Sequence, residues 1–151
     1  MYRRGRPVLP DFDGEESLFL RYGREDFVHG QLLPGCIRFP KTSVNRGSLS
    51  EPEDVLFADD GRFNGLGVVQ LRVSDIPPRI TQEQGPAYDF FMRHVPEADN
   101  YSHSEIWSDQ VPRTGDYRAP SRTVKLKFRI HLCQRITTDR IRIEAVRNRA
   151  L

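Results

Sequence analysis

Residues 88–109 read YDFFMRHVPEADNYSHSEIWSD, and this stretch decides the fold that we predict. The side chains of 88–95 alternate between two faces, which is typical of a β-strand. Residues 96–100 contain proline and asparagine and predict a turn. The next strand carries four side chains on one face: Tyr101, His103, Glu105 and Trp107. We therefore predict an antiparallel hairpin, in which His94 and His103 come within reach of one another if the strand register allows it.

Shorter segments extend this sheet. Residues 17–22, SLFLRY, are apolar and long enough for a first strand, and the alternation over 68–76 indicates a half-buried strand. Ser50, with Pro52 and acidic residues after it, predicts the start of a short helix. The pattern as a whole predicts an α+β fold, in which a twisted, mostly antiparallel sheet carries one or two short helices.

The chain length predicts one domain. A chain of 151 residues, of which 37% are hydrophobic, suits a single core. We expect an irregular N-terminal arm over 1–16 and a single compact α+β domain over 17–151. No run of about 18 apolar residues occurs, so we expect no membrane span. The basic N-terminus lacks an apolar stretch, so we expect no secretory signal and a cytoplasmic protein. Cys36 and Cys133 are far apart and outside any paired motif, which predicts reduced, packed thiols.

The segment TVKLKFRIHLCQ, residues 123–134, permits two structures. Its apolar residues alternate with Lys125, Lys127, Arg129 and His131, so a strand would have one buried face and one cationic face. A helix beginning at Ser121 would instead place an apolar stripe on one side: Val124, Phe128, Leu132 and Ile136. We favour the strand because the segment is rich in β-branched and aromatic residues.

Positive charge is concentrated at the end of the chain. The last 41 residues contain eleven basic and three acidic side chains, so they carry +8, whereas the preceding residues carry −6. This basic quarter predicts contact with a partner protein or nucleic acid. It could equally cover the acidic part of the same chain. The candidate binding residues are Lys125, Lys127, Arg129, His131, Arg118 and Arg122, and aromatic residues such as Trp107, Tyr117 or Phe128 could stack on single-stranded bases.

The polar face of the hairpin is a candidate catalytic site. His103 beside Glu105 could act as a general acid–base pair, because a carboxylate can orient a histidine that titrates near neutrality. The alternative is that the two side chains only pair across strands. The spacing of His94, His103 and Glu105 matches no usual zinc pattern, so we predict no metal site.

An early strand carries Arg21, a Ser-Val-Asn segment begins at Ser43, the strand over 68–76 follows, and a late strand carries Glu105. This order of elements, from Leu18 to Trp107, resembles that of ADP-ribosyltransferase folds, which use an arginine or histidine, a serine or threonine, and a glutamate to hold and cleave NAD. The resemblance implies that Arg21 binds an NAD phosphate or ribose. It also implies that Ser43 supports the nicotinamide pocket and that Glu105 polarises the ribose 2′-hydroxyl.

Two functions therefore follow from the sequence. The first is a small cytoplasmic accessory module of a larger bacterial complex, which contacts its partner through the basic C-terminal quarter and needs no cofactor. The alternative is an NAD-using, ADP-ribosyltransferase-like toxin or effector domain, with Arg21, Ser43, His103 and Glu105 as its catalytic residues.

Overall fold

The structure is a computed structural model that describes residues 2–3, 6–7 and 12–149. This part of the chain forms eleven strands, one α-helix and several single 3-10 turns. The strands are β1 (Tyr2–Arg3), β2 (Arg6–Pro7), β3 (Ser17–Tyr22), β4 (Phe27–Val28), β5 (Gln31–Leu32), β6 (Thr42–Arg46), β7 (Gly67–Arg72), β8 (Arg79–Ile80), β9 (Tyr88–His94), β10 (His103–Gln110) and β11 (Ile141–Ile143). The helix α1 spans Arg122–Cys133.

Seven strands form one antiparallel sheet in the order β11-β7-β3-β6-β10-β9-β8. Two further strand pairs, β1 with β2 and β4 with β5, form small ribbons. The predicted α+β class, with a mostly antiparallel sheet in a single compact domain, is confirmed. Within the described ranges, no helix is both long enough and apolar enough to cross a bilayer.

The predicted hairpin forms from β9 and β10, and its register separates the two histidines. His94 pairs with Ser104, and Phe91 pairs with Trp107. Because neighbouring residues of a strand point to opposite faces, His103 lies on the face opposite to His94. The expected proximity of His94 and His103 is therefore wrong. Each ring instead contacts a backbone carbonyl, Nε2 of His94 that of Tyr101 at 3.0 Å and Nδ1 of His103 that of Val95 at 2.8 Å.

The sheet has a core face and a second face. The core face packs against α1 and contains buried apolar residues from the central strands: Leu18, Leu20, Val44, Val69, Leu71, Phe90 and Ile106. By alternation along the same strands, the second face carries Phe19, Arg21, Ser43, Asn45, His103, Glu105 and Trp107. The four candidate catalytic residues, Arg21, Ser43, His103 and Glu105, thus lie on the face that α1 does not cover.

The segment 123–134 is a helix, so the strand prediction is wrong. Ser121 caps the helix, because its side chain accepts a hydrogen bond from the Val124 amide. Phe128 is fully buried and its ring stacks on Phe90, with 4.2 Å between centroids, whereas Leu126 is 53% exposed. Both the alternating pattern and the helical stripe place Val124, Phe128 and Leu132 on the buried side, so the pattern alone does not distinguish the two structures. The Ser121 cap and the packing against the sheet favour the helix.

Two other predicted elements are shorter than expected. The helix predicted from Ser50 is a 3-10 turn over Pro52–Leu56, in which Asp54 accepts a hydrogen bond from the Glu51 amide. The strand predicted over 68–76 ends at Arg72, where a 3-10 turn over Val73–Asp75 begins. In both places an aspartate side chain bonds to a nearby backbone amide, which favours a turn over a continued regular element.

The irregular arm predicted for 1–16 falls partly outside the described residues, which omit 1, 4–5 and 8–11. At its end, Glu16 forms a two-pronged ion pair with buried Arg46, at 2.7 and 2.8 Å. The Arg46 guanidinium also lies 3.9 Å from the centre of the Phe12 ring. These contacts fix the entry into β3 against β6.

Candidate functional site

The strands β3 and β6 begin as partners and then diverge. Leu18 pairs with Arg46 and Phe19 with Asn45. The same register, continued by two residues, would set Arg21 opposite Ser43. At that level the structure instead has a cavity of about 290 Å³, lined by both of these residues. The cavity therefore lies where two central strands of the sheet separate.

Positive charge dominates the cavity. Five of its lining residues are cationic: Arg21, Arg38, Lys41, Arg62 and Arg149. The remainder are apolar or neutral, and no carboxylate is among the lining residues that the structure describes. Three of the cations have carboxylate neighbours elsewhere, at Glu105, Asp60 and Asp26. An excess of positive charge in a partly enclosed space attracts an anion.

Arg21 is held rigidly at the cavity wall. Its Nη1 donates a hydrogen bond to the Val55 carbonyl at 3.0 Å, and its guanidinium lies 3.9 Å from the centre of the Phe63 ring. Burial lowers the pKa of Arg21, and the charge of Arg62 lowers it further. A guanidinium nevertheless stays protonated at neutral pH. Arg21 is therefore a fixed positive charge whose planar fork suits a phosphate or carboxylate.

Glu105 lies on the second face of β10, directly opposite Ser43 on β6. Its Oε1 accepts a hydrogen bond from Trp107 Nε1 at 2.9 Å, and its Oε2 lies 2.9 Å from Lys41 Nζ. Burial alone would raise the pKa of Glu105, but the hydrogen bonds from Lys41 and Trp107 outweigh it and hold the pKa below its usual value. Glu105 is thus a buried, ionised carboxylate that a cavity-lining lysine reaches directly.

His103 is the fourth predicted catalytic residue, and it is a neighbour of Glu105. Its Nδ1 donates to the Val95 carbonyl, and this contact turns Nε2 toward Glu105 Oε2 at a distance of 3.9 Å. That distance exceeds a direct hydrogen bond. His103 is also 92% buried and is not among the residues that line the cavity. No cluster of three potential metal ligands occurs in the described part of the chain.

Arg21, Ser43 and Glu105 therefore lie on the same face of three adjacent strands, β3, β6 and β10. They are more than twenty residues apart in sequence, and the sheet order brings them together.

The predicted binding residues are not brought together, because the helix places them on different sides of α1. Lys127 donates to the Thr81 carbonyl and Arg129 to the Ile37 carbonyl, so they do not form the single cationic face that a strand would have had.

The other predicted binding residues are also dispersed, and His131 lies half-buried in the last turn of α1. Lys125 lies with Arg129 around the Phe39 ring, at 5.8 and 5.1 Å from its centre. Arg118 is exposed in the loop before α1, 3.8 Å from the Asp116 carboxylate, and Arg122 is exposed at the first turn of the helix. Binding of a partner through this quarter of the chain remains a prediction.

Several cavity residues were not identified from the sequence. They come from separate segments, each of which looks like an ordinary loop or strand end: Arg38, Lys41, Arg62, Phe63 and Arg149. The high arginine content is the only sequence feature that relates to these residues, and it does not indicate which arginines line a cavity. No known protein family matches the chain, and neither a curated protein nor a solved structure matches it. The functional argument therefore rests on the geometry of the site.

Proposed function

We propose that the protein is an NAD-using enzyme of the ADP-ribosyltransferase type, and that the cavity between β3 and β6 receives the dinucleotide. One observation carries this proposal. Arg21, Ser43 and Glu105 have the residue types that NAD cleavage requires on the resemblance above, and they share one face of three adjacent strands. Two of them also line a single cavity.

The charge of the cavity supports a pyrophosphate ligand. Arginine forks bind phosphate oxygens with two parallel hydrogen bonds, and the fixed guanidinium of Arg21 is available for this. Arg21 and Arg38 have no carboxylate within ion-pair distance among the described residues, so an incoming phosphate does not have to displace one from them. The volume of about 290 Å³ is just below the roughly 300–1,000 Å³ of small-molecule sites. The cavity therefore receives one half of the dinucleotide, and the rest lies across its mouth.

Glu105 supplies the charge that the reaction needs. In the proposed step the bond between the ribose carbon and the nicotinamide nitrogen breaks, and its electron pair leaves with nicotinamide. Water or an acceptor nucleophile bonds to the ribose carbon and releases a proton to solvent. An ionised Glu105 accepts a hydrogen bond from the ribose 2′-hydroxyl and stabilises positive charge on the ribose carbon. Lys41 moves from the carboxylate toward the phosphate when the ligand enters.

The test is release of nicotinamide from NAD, measured by chromatography, with NAD binding measured separately by calorimetry. We expect Glu105→Gln to reduce nicotinamide release by about 100-fold and to leave NAD affinity within a few fold, since the change removes transition-state stabilisation. Glu83→Gln, at an exposed position away from the cavity, is the matched control and should behave as the wild type. A wild-type protein that neither binds NAD nor releases nicotinamide would refute the proposal.

A further inference from the structure

A second candidate site lies on the other side of Glu105. Three partly buried side chains on the second face of β9 and β10, together with Tyr117 from the loop that follows β10, form what we call the aromatic platform: Phe91, Arg93, Trp107 and Tyr117. The Tyr117 ring lies 5.5 Å from the Trp107 ring and 5.5 Å from the Phe91 ring, measured between centroids. The Arg93 guanidinium lies 4.6 Å from the centre of the Tyr117 ring. Flat rings and a flat cation are thus gathered on one surface.

Tyr117 is held on this surface in an unfavourable backbone conformation. Its φ is +53°, in the left-handed region that residues with a side chain rarely adopt. The preceding loop is fixed by Asp109, a fully buried carboxylate that accepts hydrogen bonds from the Thr114 hydroxyl at 2.8 Å and from the Gly115 amide at 2.9 Å. Such backbone outliers cluster at functional sites. The loop thus holds Tyr117 beside Trp107 in a conformation that is typical of functional sites.

The aromatic platform adjoins the carboxylate directly. Trp107 donates its ring N–H to Glu105, and Arg93 lies directly opposite Glu105 on the neighbouring strand. The cavity approaches Glu105 from the side of β3 and β6, whereas the platform approaches it from the side of β9. A two-substrate transfer needs such an arrangement, because the donor and the acceptor must meet at one carboxylate from different directions.

We propose that the aromatic platform binds single-stranded nucleic acid, which is the acceptor of the ADP-ribosyl group. This inference rests on the proposed function. Unpaired bases stack on aromatic rings and on guanidinium planes, and nearby cations attract the phosphates between them. Two further cations lie near its rings: Lys41 Nζ is 6.0 Å from the centre of the Trp107 ring, and the Arg113 guanidinium is 4.1 Å from that of Phe91. Asp89 pairs with Arg113 and Glu105 pairs with Lys41, so Arg93 carries most of the attraction.

In the transfer step, a nitrogen or oxygen of the bound strand attacks the ribose carbon of NAD. The new bond forms as the bond to nicotinamide breaks, nicotinamide leaves with the electron pair, and the attacking atom loses its proton to solvent. The modified strand therefore gains the mass of one ADP-ribosyl group.

The first experiment measures binding without NAD, by fluorescence anisotropy of a labelled single-stranded oligonucleotide of about 12 nucleotides. We expect Tyr117→Ala to weaken binding about 10-fold, which is the loss of one stacked base, and Tyr117→Phe to retain it. Arg93→Gln, a change that leaves the loop intact, should also weaken binding. The double variant Lys125→Ala and Lys127→Ala is the control, because both lysines lie on α1 across the sheet.

A wild-type protein that does not bind the oligonucleotide, or one whose binding falls only when Lys125 and Lys127 are replaced, overturns the inference. The second experiment adds NAD and measures both nicotinamide release and the mass of the strand. Nicotinamide release without oligonucleotide binding leaves the proposed function standing and removes only the nucleic-acid acceptor. Binding without any NAD turnover overturns the transferase and, with it, the assignment of the strand as acceptor.

Discussion

Lys41 Nζ lies 2.9 Å from Glu105 Oε2, so a half-exposed lysine of the cavity wall neutralises a carboxylate that is almost completely buried. This pair connects the two parts of the candidate site. On the proposed function, a phosphate in the cavity competes with Glu105 for the same ammonium group and frees one oxygen of the carboxylate. The pair thus links the contacts of Glu105 to what occupies the cavity.

The first prediction concerns this pair and pH. Because the pKa of Glu105 is lowered in the folded state, its ionisation stabilises the fold above the usual carboxyl pKa, and that stability is lost as pH falls through the folded pKa. Lys41→Met should destabilise the protein by about 1 kcal/mol near neutral pH, since water replaces part of the lost contact. Urea unfolding near pH 7 and at about pH 3 should show that this difference shrinks in acid. An equal difference at both pH values would contradict the assignment, and Lys127→Met is the control.

The second prediction concerns the geometry of Arg21. Arg21→Lys keeps the positive charge but removes the planar fork and the contact with Phe63. We expect the affinity for inorganic pyrophosphate, measured by calorimetry, to fall about 10-fold. Arg142→Lys, at an exposed position on the edge strand β11, should leave the affinity unchanged. Equal effects of the two changes would mean that pyrophosphate binds to general surface charge.

The third prediction separates helix from strand in the segment 123–134. Phe128 is fully buried between Phe90 and Phe39, so Phe128→Ala should lower the free energy of unfolding by about 3–5 kcal/mol. Leu126→Ala should change it by no more than about 0.5 kcal/mol, because this side chain is exposed. A strand would bury both side chains on one face, and a large effect of Leu126→Ala in urea unfolding would favour it.

The fourth prediction concerns the loop that presents Tyr117. Burial would raise the pKa of Asp109, but hydrogen bonds from Thr114, Gly115 and the Arg118 amide lower it to about 2. The stability that Asp109 contributes is therefore complete above its usual pKa of 3.8 and is lost as pH falls toward 2. Asp109→Asn should lower the Tm at neutral pH, remove this acid dependence and weaken the near-ultraviolet circular dichroism of Tyr117 and Trp107. Asp116→Asn, which changes an exposed carboxylate of the same loop, should do none of these.

The hairpin illustrates how far sequence patterns reach. Alternation over 88–95 identifies a strand because it depends only on which side chains face the core. The register depends on the turn and on packing. The alternation therefore does not predict that His94 and His103 lie on opposite faces. In segment 123–134 both periods place Val124, Phe128 and Leu132 on the buried side. The decision between them came from the Ser121 cap and from contact with β9, which lies about thirty residues away.

The sequence likewise predicts some residues of the candidate site and not others. Arg21, Ser43 and Glu105 were identified because their order along the chain resembles a known arrangement of strands. Lys41 and Arg149 could not be identified, since each reaches the cavity only after distant segments have folded against one another. The sequence predicts Tyr117 only as a stacking residue, and its position beside Trp107 depends on the loop that Asp109 holds.

The divergence of β3 from β6 has a kinetic consequence. Each strand is held on its far side, β3 by β7 and β6 by β10, so the opening between them exists before any ligand arrives. On the proposed function, an anionic ligand does not wait for a slow rearrangement of the sheet, and its association rate depends on how often it meets the opening. The surrounding positive charges raise that encounter rate, and added salt reduces it. On the proposed function we therefore expect association to slow as salt is added, with the exchange of Lys41 from Glu105 to the ligand as the step that follows entry.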